Sequence, residues 1–248
     1  MKSITKVLAV VGLALSAQAC AAGTLADLRV YDRTEGRHLP VYWHGGRAYV
    51  AGKPGNEYQV SVRNRAGEDL LAVLSVDGVN AITGETADPA QSGYVVSPGA
   101  VLDVQGWRKS LSQTAAFYFT SLGDSYAART GRPDNVGVIG VALFRRKQEP
   151  QPLAQAAPAP SERKDANADG PAAARSAQAE AQLGTGHGRR ETSFARHVSF
   201  ERATSAPAEV LTIYYDSRAS LVARGIIREP VPVAPHPRPF PGFVPDPA

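Results

Sequence analysis

The chain has 248 residues and a formal net charge of +4 at pH 7, from 27 Lys and Arg residues against 23 Asp and Glu residues. This length suffices for one or two domains. Charges of both signs are interspersed, and no block of like charge is long enough to form a nucleic-acid footprint, so the composition argues against a nucleic-acid partner. The single cysteine rules out a disulfide bond within the chain, and the fold must therefore depend on its hydrophobic core.

The N-terminus has the three parts of a secretory signal peptide. Lys2 and Lys6 supply a positive n-region, residues 7–15 form an apolar h-region, and the Ala-Gln-Ala sequence at 17–19 provides a cleavage site. The apolar stretch is too short to span a bilayer. The sequence therefore predicts a signal peptide over residues 1–19 and export of the mature chain, as a periplasmic or secreted protein.

The only cysteine, Cys20, follows Ala19 directly. This position resembles the lipidated cysteine of bacterial lipoproteins, whose motif ends in a small residue before Cys. The sequence departs from that motif at Ala17, where the family usually carries Leu. Two localisations therefore stay open: soluble export, or an outer-membrane lipoprotein whose link to the membrane is a lipid on Cys20.

Residues 70–76 form an unbroken apolar run, LLAVLSV, which is followed by Asp77-Gly78. A run that is apolar on both faces is typical of a central strand covered on both sides. Asp-Gly between apolar segments is the strongest short-range signal for a β-hairpin, because a type I′ turn needs positive φ at both central residues. The sequence predicts that this hairpin is the centre of a β-rich domain.

Short strands separated by turns are predicted throughout residues 24–147. Besides the central run, they cover residues 28–31, 39–43, 48–50, 58–63, 94–96, 101–104, 115–119 and 136–144. Little helical periodicity interrupts them. This pattern predicts a mainly β fold, an antiparallel β-sandwich or a barrel-like domain.

The composition changes after this domain. Residues 148–182 are rich in Ala, Pro, Gln, Ser and charged side chains, which is typical of a disordered linker. Residues 183–228 predict a small C-terminal element with a strand at 210–215 and a helix at 217–224, capped by Asp216 and closed by Gly225. Residues 229–248 carry proline at nearly every second position, and this composition favours a disordered polyproline II tail.

Residues 119–128, FTSLGDSYAA, resemble the first block of the GDSL hydrolases, in which an apolar strand ends in Gly-Asp-Ser. The resemblance implies that Ser125 would attack an ester carbonyl. A nucleophilic serine also needs an oriented base and oxyanion donors. The family's late Asp-x-x-His and its Asn donor block are both missing here. We therefore interpret Ser125 as part of a loop leading off a strand, and keep an esterase as the alternative.

Two further patterns point to neither a cofactor nor a metal. Gly184, Gly186 and Gly188 alternate around His187, but no predicted strand precedes them and no helix clearly follows, so we interpret residues 184–188 as a loop. The five histidines lack the spacing that metal sites use. The sequence accordingly predicts no cofactor and no metal.

Two sets of side chains are candidates for contact with a partner. Asp77 and Asn80 lie on the predicted central hairpin and are candidates for a surface contact. Five aromatic residues would line either the core or a face that binds a glycan or a peptide: Trp43, Tyr94, Trp107, Phe117 and Tyr118. The partner classes that follow are an envelope protein or a glycan, and the oligomeric state stays open.

The central block contains SVDGVN, QSGY, GWRKS and NVGVIGVALF, and it resembles an uncharacterised family of exported bacterial proteins. The later LGTGHG and EVLTIYYDSRASLVARGII are similar to that family too. The resemblance brings no activity with it. The resulting hypothesis is an exported, non-catalytic envelope module that binds a ligand or serves a structural role. The alternatives are a GDSL-like esterase at Ser125 and a scaffold that acts through the proline-rich tail.

Overall fold

Two multi-stranded β-sheets make up most of the structure, a computed structural model that describes residues 21–148 and 182–228. The chain is mainly β, as the sequence predicts, and the sheets do not close into a barrel. The predicted signal peptide, Cys20, nearly all of the predicted linker and the proline-rich tail lie outside the described residues.

The described elements are short strands and two short helices. In chain order the strands are β1 (Ala21–Ala22), β2 (Ala26–Asp32), β3 (Arg37–His38), β4 (Val41–His44), β5 (Arg47–Gly52), β6 (Glu57–Asn64), β7 (Leu70–Val76), β8 (Val79–Asn80), β9 (Tyr94–Val96), β10 (Val101–Val104), β11 (Gly106–Arg108), β12 (Gln113–Ser121), β13 (Val138–Arg145), β14 (Leu183–Thr192) and β15 (Glu209–Ser217). The helices are α1 (Tyr126–Arg129) and α2 (Arg218–Ala223), and a 3₁₀ turn covers Pro133–Asn135.

The first sheet has the order β1-β2-β6-β12-β11, with β3 beside β2, β10 beside β6 and β14 beside β12. The second sheet has the order β4-β5-β15-β13-β7-β8, with β9 beside β7. The described pairings are antiparallel, except that β15 runs parallel to β5. This parallel pair arises because β15 enters the second sheet between β13 and β5.

The core lies between the sheets and follows the alternation of the strands. Tyr58, Val60 and Val62 of β6 are buried in it, as their spacing predicts. In β7, Leu70, Ala72, Leu74 and Val76 belong to this core. The intervening Leu71 and Val73 belong to a separate cluster with Ala142 and Phe144, which Phe200 covers from outside. The central run is therefore buried on both faces, as its composition predicts.

The predicted central hairpin is confirmed. Val76 pairs with Val79, and the two residues between them have φ of 52° at Asp77 and 71° at Gly78. Both values fall in the left-handed region that a two-residue type I′ turn requires. The hairpin between β4 and β5 turns in the same way at Gly45-Gly46.

Residues 184–188 are predicted from the sequence to form a loop, but in the structure they belong to the start of β14. The loop prediction is wrong because these glycines accommodate close side chains within a strand. A Cβ on Gly184 would lie 2.5 Å from the Cβ of Ser125, and a Cβ on Gly186 would meet the ring of Tyr118. Alternate positions of β14 must therefore stay small for side chains to pack over them.

The predicted C-terminal helix is present, with one correction to its cap. Ser217, and not Asp216, is the N-cap residue, and its hydroxyl accepts a hydrogen bond from the Ser220 N–H. Asp216 supports the cap, since its carboxylate accepts from the Ser217 N–H at 2.7 Å and from the Ser220 hydroxyl at 2.5 Å. Gly225 follows with φ of 70°, as expected of a C′ glycine.

We expect Gly78→Val to lower the free energy of unfolding by about 1–3 kcal/mol, because a β-branched residue is strained at positive φ. A Cβ at this position would also lie 2.8 Å from the Cβ of Asn135. Urea melts of the variant measure the loss. Gly99→Val is the matched control for the strain of positive φ alone, since Gly99 has the same φ of 71° but nothing within 4 Å of its Cβ position. A greater loss in Gly78→Val than in this control measures the contact with Asn135. A Gly78 variant as stable as wild type would contradict the turn assignment.

Candidate functional site

The connection from β14 to β15 forms an extended segment over the rim of the two sheets. We name residues 193–202 the arch. At one end the Ser193 N–H donates to the Ser112 carbonyl at 2.9 Å, and the Ala195 N–H donates to the Leu111 carbonyl at 2.7 Å. At the other end the Glu201 carbonyl accepts from the Lys147 N–H at 2.8 Å. The arch is thus fixed at both ends to different sheets.

Arginine and aromatic side chains hold the second half of the arch in place. Phe200 packs on the outer cluster of the second sheet, and the Arg146 guanidinium lies 4.6 Å from its ring centroid. The Arg202 guanidinium lies 4.2 Å from the ring centroid of Phe144 and donates to the Gln91 carbonyl at 2.6 Å. These contacts order a segment that has almost no regular secondary structure.

A groove of about 1010 Å³ lies between the arch and the strands β9 and β10. Tyr94 and Val95 of β9 and residues 102–104 of β10 line it, together with most of the arch. In the described chain, β9 pairs only with β7 and β10 pairs only with β6. Each of these short strands therefore has an edge without a strand partner, and both strands line the groove.

The groove carries exposed apolar side chains. Phe194 is 84% exposed, and Leu111 and Val198 are also exposed. An isolated exposed leucine or valine is common on protein surfaces, but a phenylalanine this exposed is not, since aromatic rings gain most from burial. The first half of the arch therefore presents apolar area for which the described chain provides no cover.

The groove is rich in hydrogen-bond donors. Arg196 and His197 are exposed and form no hydrogen bond or ion pair with other described residues. By contrast, the lining carboxylates are occupied: Asp69 pairs with Arg146 at 3.2 Å, Asp103 accepts from the Ser61 hydroxyl at 2.5 Å, and Glu201 pairs with Lys147. The groove thus offers the free donors of Arg196 and His197, whereas each of its lining carboxylates already has one partner within the chain.

The five predicted aromatic candidates divide between the core and the surface. Trp107 and Phe117 are buried in the core, and the Trp107 indole N–H donates to the Gly186 carbonyl at 3.2 Å. Tyr118 is half-buried beside Gly186. Tyr94 lines the groove. Trp43 is 57% exposed on β4 and does not line the groove.

Asp77 and Asn80, the predicted surface contacts, are both fully buried. The prediction is wrong because both side chains satisfy buried backbone groups. The Asn80 side-chain carbonyl accepts from the Ile82 N–H at 2.8 Å, and its amide donates to the Gln91 side-chain carbonyl at 3.0 Å. Asn80 thereby shapes the loop 81–93, which reaches the groove at Gln91.

The Asp77 carboxylate is the centre of a buried hydrogen-bond network between the two sheets. It accepts from the Thr185 N–H at 2.7 Å, the Gly137 N–H at 3.0 Å and the Tyr215 hydroxyl at 2.5 Å. The Thr185 hydroxyl lies 2.7 Å from the Tyr215 hydroxyl and 2.5 Å from that of Tyr58. Since the Tyr215 proton points to Asp77, Thr185 donates to Tyr215, and Tyr58 donates to Thr185.

Burial dominates the protonation of this network. It raises the pKa of the Asp77 carboxyl to about 6, although hydrogen bonds from Tyr215, Thr185 and Gly137 oppose the shift. Burial also raises the pKa of Tyr58 and Tyr215 well above the ordinary value, and the charge of Asp77 adds to this. Both tyrosines therefore stay protonated as donors.

Ser125 is buried at the start of α1. Its hydroxyl accepts a hydrogen bond from the Ala128 N–H at 3.1 Å, so it is the N-cap of that helix. Among the described residues, no histidine or carboxylate forms a hydrogen bond with this hydroxyl. His187, on the adjacent β14, instead lies beside Tyr126, with 5.6 Å between the ring centroids.

The described residues contain no cluster of three or more His, Cys, Asp or Glu side chains that could hold a metal ion. No described helix is long and apolar enough to cross a membrane.

No sequence pattern predicts a binding role for Phe194, Arg196 or His197. Residues 189–205, RRETSFARHVSFERATS, carry isolated apolar residues in a polar run with neither helical nor strand spacing. An isolated phenylalanine in such a run is a weak signal for a fixed extended segment. The free arginine and histidine follow only from the structure.

The raised pKa of Asp77 predicts a specific pH dependence of stability. The folded state favours the neutral acid, so this group lowers the free energy of unfolding as pH rises from about 4 to about 6, by about 3 kcal/mol in total. Glu35, Glu57 and Glu209 have lowered pKa values and act in the opposite sense at acid pH. The difference in unfolding free energy between wild type and Asp77→Asn isolates the Asp77 contribution.

We expect that difference to favour wild type most at pH 4 and to shrink towards pH 7, as measured by urea melts across this range. Asp77→Asn should itself be destabilised, because its amide would place a donor near the donors that Asp77 accepts. Tyr215→Phe is a second variant that keeps the carboxyl and removes one hydrogen bond to it, so the pH window should move upward. A difference that is constant from pH 4 to 7 would show that Asp77 does not titrate there.

Comparison of the chain with protein-family models, with curated proteins and with solved structures finds no match. The similarity of the central block to exported bacterial proteins stays a prediction. Function must therefore be argued from the groove, the arch and the buried network.

Proposed function

We propose that this chain is an exported, non-catalytic binding module whose groove holds an extended segment of an envelope protein. The observation that supports this most is the 84% exposed Phe194 at the edge of a groove of about 1010 Å³. A groove with apolar walls and a few polar groups is the usual form of a binding site.

The shape of the groove favours an extended peptide. The arch lies along one side of it, and the short strands β9 and β10 line it with edges that lack a strand partner. Extended peptides bind such surfaces through their backbone, with side chains entering alternate pockets.

The polar groups favour a ligand that accepts hydrogen bonds. Arg196 and His197 are free to donate, whereas Asp69, Asp103 and Glu201 are already engaged. Carbonyl groups of a bound peptide backbone would accept hydrogen bonds from these two side chains. A carboxylate on the ligand would further pair with Arg196.

The proposal treats Ser125 as a structural residue, and the cap geometry supports this. We expect Ser125→Ala to lower the free energy of unfolding by about 0.5–2 kcal/mol, because it removes the α1 N-cap. Purified wild type and variant should hydrolyse a panel of short-chain p-nitrophenyl esters equally, at the rate of the buffer alone. Ester turnover that disappears in Ser125→Ala would instead support the GDSL-like esterase.

The groove is tested with a phage-displayed library of random 12-residue peptides, selected on the mature chain. We expect selected peptides to bind Phe194→Ser about thirtyfold more weakly than wild type, since burying a phenylalanine contributes about 2 kcal/mol. Fluorescence anisotropy with labelled peptides measures the dissociation constants.

Trp43→Ser is the matched control, because it removes another exposed aromatic side chain that does not line the groove. Peptides that bind both variants like wild type would place the binding site elsewhere. Failure to recover any groove-dependent peptide, together with Phe194-dependent binding to a glycan array, would assign the groove to a sugar.

A further inference from the structure

We infer that the groove is occupied by the proline-rich tail of the same chain, residues 229–248, which competes there with partner peptides. This inference rests on the proposed function of the groove and adds an occupant and a form of regulation.

The described chain ends on the same face of the second sheet that the arch covers. Ile226 and Ile227 pack with Tyr49 and Leu221 in a cluster outside the main core. The outward-facing cluster of Leu71, Val73, Ala142 and Phe144, covered by Phe200, lies on the same side of that sheet. The tail therefore starts beside the surface along which it would travel.

The distance is well within reach. In the second sheet β5 is followed by β15, β13, β7 and then β9, which lines the groove. These four strand spacings correspond to about 20 Å at about 4.8 Å each. The 20 residues after Arg228 span about 60 Å in a polyproline II conformation, at about 3.1 Å per residue.

The backbone of the tail is rich in acceptors, which suits the free donors of the groove. Its prolines have carbonyl groups but no N–H, and they alternate mainly with apolar residues, and with His236, Arg238 and Asp246, in PVPVAPHPRPFPGFVPDP. Arg196, His197 and the Tyr94 hydroxyl are suitable donors to such carbonyls. Asp246 provides a carboxylate that would pair with Arg196.

The tail also supplies aromatic rings that would cover the exposed Phe194. Phe240 and Phe243 lie near its end, far enough from Arg228 to reach the groove. Packing either ring against Phe194 and Tyr94 would cover the most exposed apolar side chain of the groove. Because the tail is tethered, its effective concentration at the groove is in the millimolar range, so even weak docking would be populated.

The occupant is identified by photo-crosslinking in the full chain. p-Benzoylphenylalanine is introduced in place of Phe194, the protein is irradiated, and mass spectrometry of the digest identifies the linked segment. We expect crosslinks to residues 229–248 at a yield independent of protein concentration, and none from the same probe in place of Trp43. Mixing ¹⁵N-labelled and unlabelled chains separates links within one chain from links between copies.

Crosslinks to residues 149–181, links mainly between copies, or no link to the tail would each overturn the inference. A second measurement uses a full-length chain in which residues 229–248 are replaced by a Gly-Ser repeat of equal length. Library-selected groove peptides should bind this chain at least tenfold more tightly than wild type. Equal affinity for both would reject competition by the tail while leaving the proposed function intact. Failure to recover groove-binding peptides on both the wild-type chain and the Gly-Ser chain would reject the proposed function itself.

Discussion

The buried carboxylate of Asp77 is the constraint on which the arrangement of the two sheets depends. It accepts hydrogen bonds from Gly137, Thr185 and Tyr215, which belong to three separate parts of the chain. A carboxylate buried without partners would cost several kcal/mol, so the turn, β14 and β15 must keep one relative position. The central hairpin is therefore more than a connection between two strands, because β14 and β15, more than 100 positions later in the chain, return to it.

The groove depends on this arrangement through β14. Its glycines let Ser125 and Tyr118 pack closely over the first half of the strand, which fixes where the strand runs beside β12. The second half leads into the arch, which is then held to Leu111 and Ser112. A segment with little secondary structure is thereby ordered by its ends. The exposed Phe194 lies at the first of these ends, between Ser193 and Ala195, whose N–H groups hold the arch to residues 111 and 112.

Much of the fold follows from sequence patterns that act locally. Alternation predicts the buried face of β6, and Asp77-Gly78 predicts the hairpin, because both signals depend on neighbouring residues. Two other features depend on distant residues and could not be predicted in this way. Residues 184–188 have the composition of a loop, and only the packing of Ser125 and Tyr118 explains why a strand needs glycine at positions 184 and 186. The Asp77-Gly78 pair is typical of a surface turn, and its burial depends on Thr185 and Tyr215, more than 100 positions away.

The insertion of β15 between β13 and β5 has a consequence for the order in which the sheet is completed. A chain delivered N-terminus first, from the ribosome or across a membrane, presents β5 and β13 long before Glu209–Ser217 arrives. Until then each of these strands has an open edge of unpaired N–H and C=O groups, flanked by apolar residues such as Val50 and Val141. Such unpaired edges make a partly folded chain prone to aggregation. β15 thus completes the pairing of both strands, and protection of the nascent protein by chaperones matters most before β15 is in place.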